Sequence, residues 1–277
     1  MINEVTRFSF PTAVAFGPGA IDQLPDYLKE VGIGKPLLVT DPGLRKTDVF
    51  ARVTGVLKDS ATPCAVFGDV HPNPLDEDIS KALEVYRSQG CTGVIGLGGG
   101  SALDAAKVVP VLAVNDGKIN EYDGQTGGNQ RIQGPLPPMI AVPTTAGTGS
   151  EVGRCSVITS VEMGRKFMVC HPLMMPKMAV LDPELTVGLP SHLTAATGMD
   201  AFTHCVESLI APVFHPMCDA IALKGIELVA GYLEKAVNEP TDIEARGYMQ
   251  LAAMMGAVAF QKDLGAAHSL SHALSAV

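Results

Sequence analysis

The sequence lacks clustered basic residues, long apolar runs and closely spaced cysteines, and each absence excludes a class of function. Charged residues make up only 18% of the 277-residue chain, and the formal net charge is -9 at pH 7. Binding to a nucleic-acid backbone relies on clustered Lys and Arg, so we expect no nucleic-acid partner. No stretch reaches the roughly 18 consecutive apolar residues of a membrane span, and the first ten residues lack the apolar segment of a signal peptide. We therefore expect no membrane partner and a cytoplasmic location.

The six cysteines are scattered, and no two have the close spacing of a zinc-binding or redox pair. Reduced, buried thiols are the expectation. Any bound metal must then use nitrogen and oxygen ligands, which makes the seven histidines candidate ligands.

Two kinds of sequence pattern follow one another along the chain. Up to about residue 185, short apolar runs alternate with helical patterns, and Gly, Pro and Asp mark the joins, as in βαβ units. Strands are predicted over residues 35–41, 94–97 and 139–142. Helices are predicted over residues 194–209 and 216–233, and over a third segment that Asp242 caps and that ends near residue 260. We predict an α/β domain over residues 1–185 and an all-α domain over residues 186–277.

A glycine-rich turn joins one predicted strand to a helix. Gly98, Gly99, Gly100 and Ser101 follow the apolar run 94–97. Backbone amides in this position can face a phosphate, glycine allows close approach, and the helix dipole adds partial positive charge. The turn therefore fits a pyrophosphate, with Ser101 as the helix cap and a hydroxyl donor. A tight turn without a ligand explains the same residues.

Two further segments fit a dinucleotide. Asp41 ends an earlier predicted strand and can accept hydrogen bonds from an adenosine ribose. Its charge would repel a 2′-phosphate, which favours NAD over NADP. Residues 143–151 form a second turn, rich in hydroxyl groups and glycine. This turn can bind ribose or the nicotinamide amide, and an ordinary Ser/Thr-rich turn before a helix accounts for it equally well.

Two pairs of potential metal ligands lie four residues apart in helical stretches. Asp200 precedes His204, and His268 precedes His272, so each pair shares a helix face. Incidental histidines are common at this spacing, but two pairs in apolar surroundings favour a shared cation, because buried ionisable groups need partners. A carboxylate with several imidazoles suits Fe(II) or Zn(II). Glu207 is a weaker ligand candidate and fits better as a supporting or surface carboxylate.

Together these motifs resemble the iron-containing (group III) alcohol dehydrogenases, which have the dehydroquinate-synthase-like fold. The resemblance covers essentially the whole chain. It rests on Gly98 to Ser101 with Asp104 and Lys107, and on residues 143–151, 182–186, 194–204 and 260–272. It implies an α/β dinucleotide-binding domain followed by an all-α metal-binding domain. It also implies hydride transfer between a small alcohol or aldehyde and NAD(H), by a homodimer or larger homo-oligomer that associates through its N-terminal strands.

The resemblance also implies roles for individual residues. Asp200, His204 and His268 would bind the metal, Fe(II) or alternatively Zn(II), whereas His272 would lie by the nicotinamide and substrate. This corrects the spacing argument, which placed His272 on the metal. The implied cofactor contacts are Gly98, Gly99, Gly100 and Ser101 for the pyrophosphate, Asp41 for the adenosine ribose, and Asn73, Thr144, Thr145, Thr148 and Lys166 along the cleft.

The chain departs from the family near its end. The family's fourth metal ligand is a histidine beyond the position of His272, and this sequence ends at Val277. Ala273 and Ser275 replace a proline and a glycine that are common in the family. We therefore expect a truncated chain with an incomplete helical domain. A site with three ligands would bind metal more weakly and with an additional water.

Two other functions fit the same motifs. One is a lyase of the same fold, similar to dehydroquinate synthase, that uses NAD only transiently. Such an enzyme needs several cations to hold a polyhydroxylated acid, and only Arg154 and Lys166 lie near the motifs. The other is a non-catalytic nucleotide-binding or assembly module, which would bind NAD without a metal. Among substrates of a dehydrogenase, short alcohols, diols and hydroxy acids all fit.

Overall fold

Six parallel strands form the main sheet of the protein, whose computed structural model describes residues 12–274. The strands of the chain are β1 (Ala13–Phe16), β2 (Pro36–Val39), β3 (Ala65–Phe67), β4 (Gly93–Gly98), β5 (Met139–Pro143), β6 (Cys155–Ser160), β7 (Arg165–Cys170) and β8 (Met178–Leu181). All except β6 and β7 belong to this sheet, in the order β1-β8-β5-β4-β2-β3. The predicted strands are present as β2, β4 and β5, with shifts of one or two residues at their ends.

Four helices cover the two faces of the sheet. They are α1 (Leu24–Glu30), α2 (Asp48–Asp59), α3 (Asp76–Ser88) and α4 (Gly100–Val114). Along β2, Leu37 and Val39 belong to the core under α3 and α4, while Leu38 belongs to the core under α1 and α2. Burial on both faces explains why the central strands are continuous apolar runs instead of alternating patterns.

The last third of the described chain, from Ser191 onward, consists of helices. They are α5 (Ser191–Ile210), α6 (Pro216–Asn238), α7 (Ile243–Ala259) and α8 (Ala266–Leu274). Asp242 caps α7 as predicted, because its Oδ1 accepts a hydrogen bond of 2.8 Å from the backbone N–H of Ala245. The predicted order of an α/β part followed by an all-α part is confirmed. Among the described residues, no helix is both long and apolar enough to cross a membrane.

The expectation that all cysteines are reduced is wrong for one pair. β6 and β7 form an antiparallel hairpin in which Cys155 lies opposite Cys170. Their Cα atoms are 4.1 Å apart, and a disulfide joins them. The pair is separated by 15 residues in sequence, so only the hairpin brings the two thiols together. Cys64, Cys91, Cys205 and Cys218 are free thiols.

Candidate active site

The two predicted cofactor-binding turns meet at the carboxyl end of the sheet. The backbone N–H of Thr144, just after β5, donates a hydrogen bond of 3.0 Å to the carbonyl of Gly98 at the end of β4. A Cβ atom on Gly100 would lie 2.6 Å from the methyl group of Thr148, so the residue must be glycine for the turns to pack as they do. The structure brings together here Gly98, Gly99, Gly100, Ser101, Thr144, Thr145 and Thr148. This edge of a parallel sheet is where α/β proteins commonly bind ligands.

Asp41, the residue predicted to contact the adenosine ribose, lies beside the glycine turn. Its Oδ1 accepts hydrogen bonds from the backbone N–H groups of Gly43 at 2.8 Å and Leu44 at 2.9 Å. Its Oδ2 would lie 3.5 Å from a Cβ atom on Gly98. One carboxylate oxygen is therefore held by the turn after β2, while the other lies close to the glycine turn.

The prediction that Ser101 caps α4 is wrong. Gly99 occupies the cap position, and no side chain caps the helix. Ser101 lies in the first turn of α4, and its hydroxyl donates a hydrogen bond to the carbonyl of Pro72. This bond holds the exposed loop that contains Asn73 next to the glycine turn.

Asp104 and Lys107, which are motif residues in the sequence, form a buried network. The Lys107 side chain is fully buried, and its Nζ donates to Ser150 Oγ at 2.7 Å and to the Cys155 carbonyl at 2.6 Å. Asp104 accepts from Ser150 Oγ at 2.6 Å and from the backbone N–H of Val157 at 2.8 Å. Burial lowers the pKa of Lys107, and the Asp104 carboxylate opposes this shift. The network ties α4 to the second turn and to β6, so its role is to hold the cofactor turns in place.

Three potential metal ligands converge in the helical half. Asp200 and His204 lie one turn apart on α5, and His268 lies on α8. One ligand atom from each lies within 4.8 Å of the other two. Gly256 on α7 allows this packing, because an added Cβ would lie 2.9 Å from the Cβ of His204. A glycine inside a predicted helix was the available sequence signal for this close approach.

The spacing of these ligand atoms fits a cation better than it fits hydrogen bonds. Asp200 Oδ1 is 3.7 Å from His204 Nε2 and 3.5 Å from His268 Nε2, longer than ordinary hydrogen bonds. Ligands bound tetrahedrally at about 2.1 Å from one ion lie about 3.4 Å from each other. Two neutral imidazoles and one carboxylate are also a donor set that suits Fe(II) or Zn(II).

The electrostatic surroundings of the two histidines differ. Burial lowers the pKa of His204, and the Asp200 carboxylate only partly offsets this. The pKa of His268 is raised, first by Asp200 and also by Glu207, against the effect of burial. Glu207 is itself buried, which alone would raise its pKa, but its hydrogen bonds to His268 and to backbone N–H groups lower it.

The metal-ligand cluster adjoins the second cofactor turn. A Cβ atom on Gly147 would lie 2.7 Å from the Cβ of Thr197, which is three residues before Asp200 on α5. The backbone of Gly147 also acts to raise the pKa of His204, against the larger effect of burial. The cluster and the cofactor turns therefore border the same cleft.

His272 is a neighbour of the metal-ligand cluster. Its ring centroid is 6.3 Å from that of His268, whereas the rings of His204 and His268 stack at 4.4 Å. The pKa of His272 is lowered by burial first, and then by the positive charges of His268 and Lys166. Lys166, on β7, is thus within electrostatic reach of His272, and burial lowers its own pKa.

Comparisons with known proteins give matches to both the α/β part and the helical part of the chain. The family model described as "Iron-containing alcohol dehydrogenase" matches residues 11–183, and its C-terminal counterpart matches residues 194–277. A 4-hydroxybutyrate dehydrogenase of Cupriavidus necator is 45% identical over 256 residues, which are 92% of this chain and 66% of that protein. The chain thus spans about two thirds of the length of this relative.

Solved structures superpose closely on nearly the whole chain. A 1,3-propanediol oxidoreductase superposes with a TM-score of 0.93 at 37% identity, covering 98% of this chain and 71% of that one. A sulfoacetaldehyde reductase from Bifidobacterium kashiwanohense, solved in complex with NAD+, superposes with a TM-score of 0.90 at 31% identity, covering 99% and 72%.

Proposed function

Because the chain belongs to the iron-containing alcohol dehydrogenase family, we propose that it catalyses reversible hydride transfer between a small alcohol and NAD. The observation that carries this proposal is the convergence of Asp200, His204 and His268 beside the cofactor turns. A non-catalytic nucleotide-binding module would have no use for three ligands at cation spacing. The relative and the two solved structures named above are a dehydrogenase, an oxidoreductase and a reductase, which favours this reaction over a lyase.

Each part of the cofactor has a proposed set of contacts. The backbone of Gly98 to Ser101, at the start of α4, binds the pyrophosphate, since this helix end offers N–H groups and partial positive charge. Asp41 accepts hydrogen bonds from the adenosine ribose and disfavours a 2′-phosphate. The remaining residues proposed to line the cleft are Asn73, Thr144, Thr145, Thr148 and Lys166.

The metal-ligand cluster would activate the substrate. Asp200, His204 and His268 would hold Fe(II), or alternatively Zn(II), and the chemistry supplied on binding is Lewis-acid polarisation of the substrate oxygen. Apolar packing on His204, including the ring of Phe260 at a centroid distance of 5.1 Å, keeps water from that side of the ligand set.

We propose that His272 moves the substrate proton. Its lowered pKa keeps the ring neutral near pH 7, so it can accept a proton. Neighbouring atoms shield part of the ring, but His272 remains an exposed residue, which gives the proton a route to solvent. The distance of 6.3 Å between the ring centroids of His268 and His272 supports a position beside the ligand cluster.

The organisation of the chain is also part of the proposal. Residues 1–185 would form the NAD-binding domain and residues 186–277 the metal-binding domain. We propose a homodimer that forms through β1, because β1 is an edge strand with Val14 and Phe16 exposed. A cytoplasmic location agrees with the four free thiols, although the Cys155–Cys170 disulfide is unusual for a reducing compartment.

Metal analysis combined with NADH formation tests the proposed function. Protein purified without oxygen should contain about one Fe or Zn per chain and should form NADH with a primary alcohol from a panel of short alcohols, diols and hydroxy acids. Chelation should abolish both metal content and activity. Full activity after exhaustive chelation would contradict the metal assignment, and tight NAD binding with no turnover of any alcohol would favour the non-catalytic module.

A further inference from the structure

Glu207 is a buried carboxylate that contacts one proposed metal ligand without belonging to the ligand cluster. It lies on α5, three residues after His204, and is only 6% exposed. Among the described residues, its only ion-pair partner is His268, whose Nδ1 is 2.5 Å from Glu207 Oε2. A buried carboxylate with no Lys or Arg partner requires another explanation, because an uncompensated buried charge is costly.

The contact fixes which nitrogen of His268 carries the proton. An ionised carboxylate can only accept hydrogen bonds, so Nδ1 of the neutral ring must be the donor. The other nitrogen, Nε2, then has a free lone pair, and it is Nε2 that lies 3.5 Å from Asp200 Oδ1 in the ligand cluster. A metal requires that free lone pair on its imidazole ligand. Glu207 therefore selects the ring form that can bind.

The second oxygen of Glu207 holds the backbone that carries His268. Oε1 accepts a hydrogen bond of 2.7 Å from the N–H of Ala267 in the first turn of α8. A Cβ atom on Gly265 would lie 2.8 Å from this oxygen, so glycine is what allows the carboxylate to reach the helix end. One side chain on α5 thus fixes both the position of α8 and the ring that α8 presents to the ligands on α5.

We propose that Glu207 is a positioning residue for the metal centre: it holds the Nδ1–H form of His268 and docks α8 so that Nε2 faces Asp200 and His204. This proposal rests on the proposed function, in that the three ligands bind one cation. Supporting carboxylates of this kind usually strengthen metal affinity by about 10- to 100-fold.

The test replaces the carboxylate without changing its size. In Glu207→Gln only one of the two positions held by Oε1 and Oε2 keeps an oxygen, so the contact with either His268 or Ala267 loses its acceptor. Co(II) affinity of the full chain, measured by competition with a coloured chelator, should weaken about 10- to 100-fold. The matched control is Glu227→Gln, an exposed glutamate on α6 paired with Lys224, which should leave the affinity unchanged.

A second readout follows the ring form in the metal-free chain. Long-range proton–nitrogen NMR spectra of the histidine rings, recorded at a pH high enough for the His268 ring to be neutral, should show His268 protonated on Nδ1 in the parent protein, with the signal assigned by its loss in His268→Gln. In Glu207→Gln the same signal should report a mixture of the two ring forms. A helix-capping role alone would lower stability and leave this signal unchanged.

The outcomes separate this proposal from the proposed function. Unchanged Co(II) affinity, or an unchanged ring form in Glu207→Gln, overturns the positioning role. If Glu207→Gln does not fold, Gly265→Ala displaces the carboxylate without removing it and should also weaken Co(II) binding, and unchanged affinity there overturns the role equally. Absence of Co(II) binding by the parent chain would instead contradict the proposed function, while the ring form would still report on Glu207.

Discussion

In the α/β part of the chain, the buried charged groups around Lys107 bond to one another, whereas in the helical part the side chains of the metal-ligand cluster do not. Lys107 is surrounded by Asp104, Ser150 and the Cys155 carbonyl at distances of 2.6 to 3.5 Å, so each neighbour satisfies another. Asp200, His204 and His268 face one another at 3.5 to 3.7 Å, too far apart to satisfy each other. The comparison teaches that burial of a charged group does not by itself indicate a ligand site. Potential ligand atoms that face one another without forming hydrogen bonds are the better indication.

The largest effect is expected from breaking the buried network around Lys107. Lys107→Met removes the buried cation and leaves Asp104 and Ser150 without their partner, so the free energy of unfolding should fall by about 3–5 kcal/mol. Urea unfolding of the variant and of Lys81→Met, an exposed lysine on α3, provides the measurement and its control. A loss below about 1 kcal/mol would mean that the network is not the scaffold described above.

The next effect concerns the helical half and requires a metal. Zn(II) at 100 to 1,000 times its dissociation constant should stabilise the parent chain by about 3–4 kcal/mol. Asp200→Asn should remove this gain while changing the stability of the metal-free chain little. The gain should persist in Lys107→Met, measured by the same unfolding experiment. If Asp200→Asn retained the gain in stability, the metal would have to bind at another site.

The pH dependence of stability sharpens the comparison at Glu151. Burial raises the pKa of this carboxyl from 4.5 to about 7, so the folded state keeps a proton that the unfolded state releases between these values. The contribution of Glu151 to stability is therefore complete below about pH 4.5 and is lost as the pH rises to 7, by up to about 3 kcal/mol. Glu151→Gln should abolish this loss.

The check for Glu151 is unfolding by urea at several pH values between 4.5 and 8. The stability of Glu151→Gln relative to the parent chain should rise with pH over this window. Glu162→Gln, an exposed carboxylate, should show no such trend. A flat difference for Glu151→Gln would mean that the carboxyl is already ionised in the folded protein.

The smallest effect concerns the partly exposed Asp41. Asp41→Asn keeps an oxygen for Gly43 and Leu44 but removes the charge near the glycine turn, so discrimination against NADP should fall about tenfold, or about 1.4 kcal/mol. The ratio of kcat/KM for NAD and NADP measures it, with Asp69→Asn as the control on an exposed carboxylate. An unchanged ratio would assign cofactor choice to other residues.

The sequence predicted the parts of the protein that depend on local pattern. Apolar runs and helical periodicity located β2, β4, β5 and the long helices, and the spacing of Asp200 and His204 placed them on one face of α5. The sheet order could not be read this way, because β1 pairs with β8, about 165 residues later, through contacts that leave no local signature.

The misses were also non-local. Ser101 follows a strand as a helix cap would, yet its hydroxyl bonds to Pro72 on another loop. Cys155 and Cys170 meet only because a hairpin folds back. Choosing between metal ligand and neighbour for His272 needed the resemblance, since spacing alone treats both histidines of α8 alike. Glu207 was considered a supporting or surface carboxylate, and its contact with α8 required coordinates.

The packing of Gly100 against Thr148 carries a consequence for variation among relatives. With the Cβ of any larger residue at position 100 falling 2.6 Å from the Thr148 methyl, the two positions are not independent. A larger residue at position 100 should be tolerated only where position 148 carries a smaller residue. Exchange of a single loop between homologues should therefore fail where joint exchange succeeds, and the two turns should be inherited as a pair.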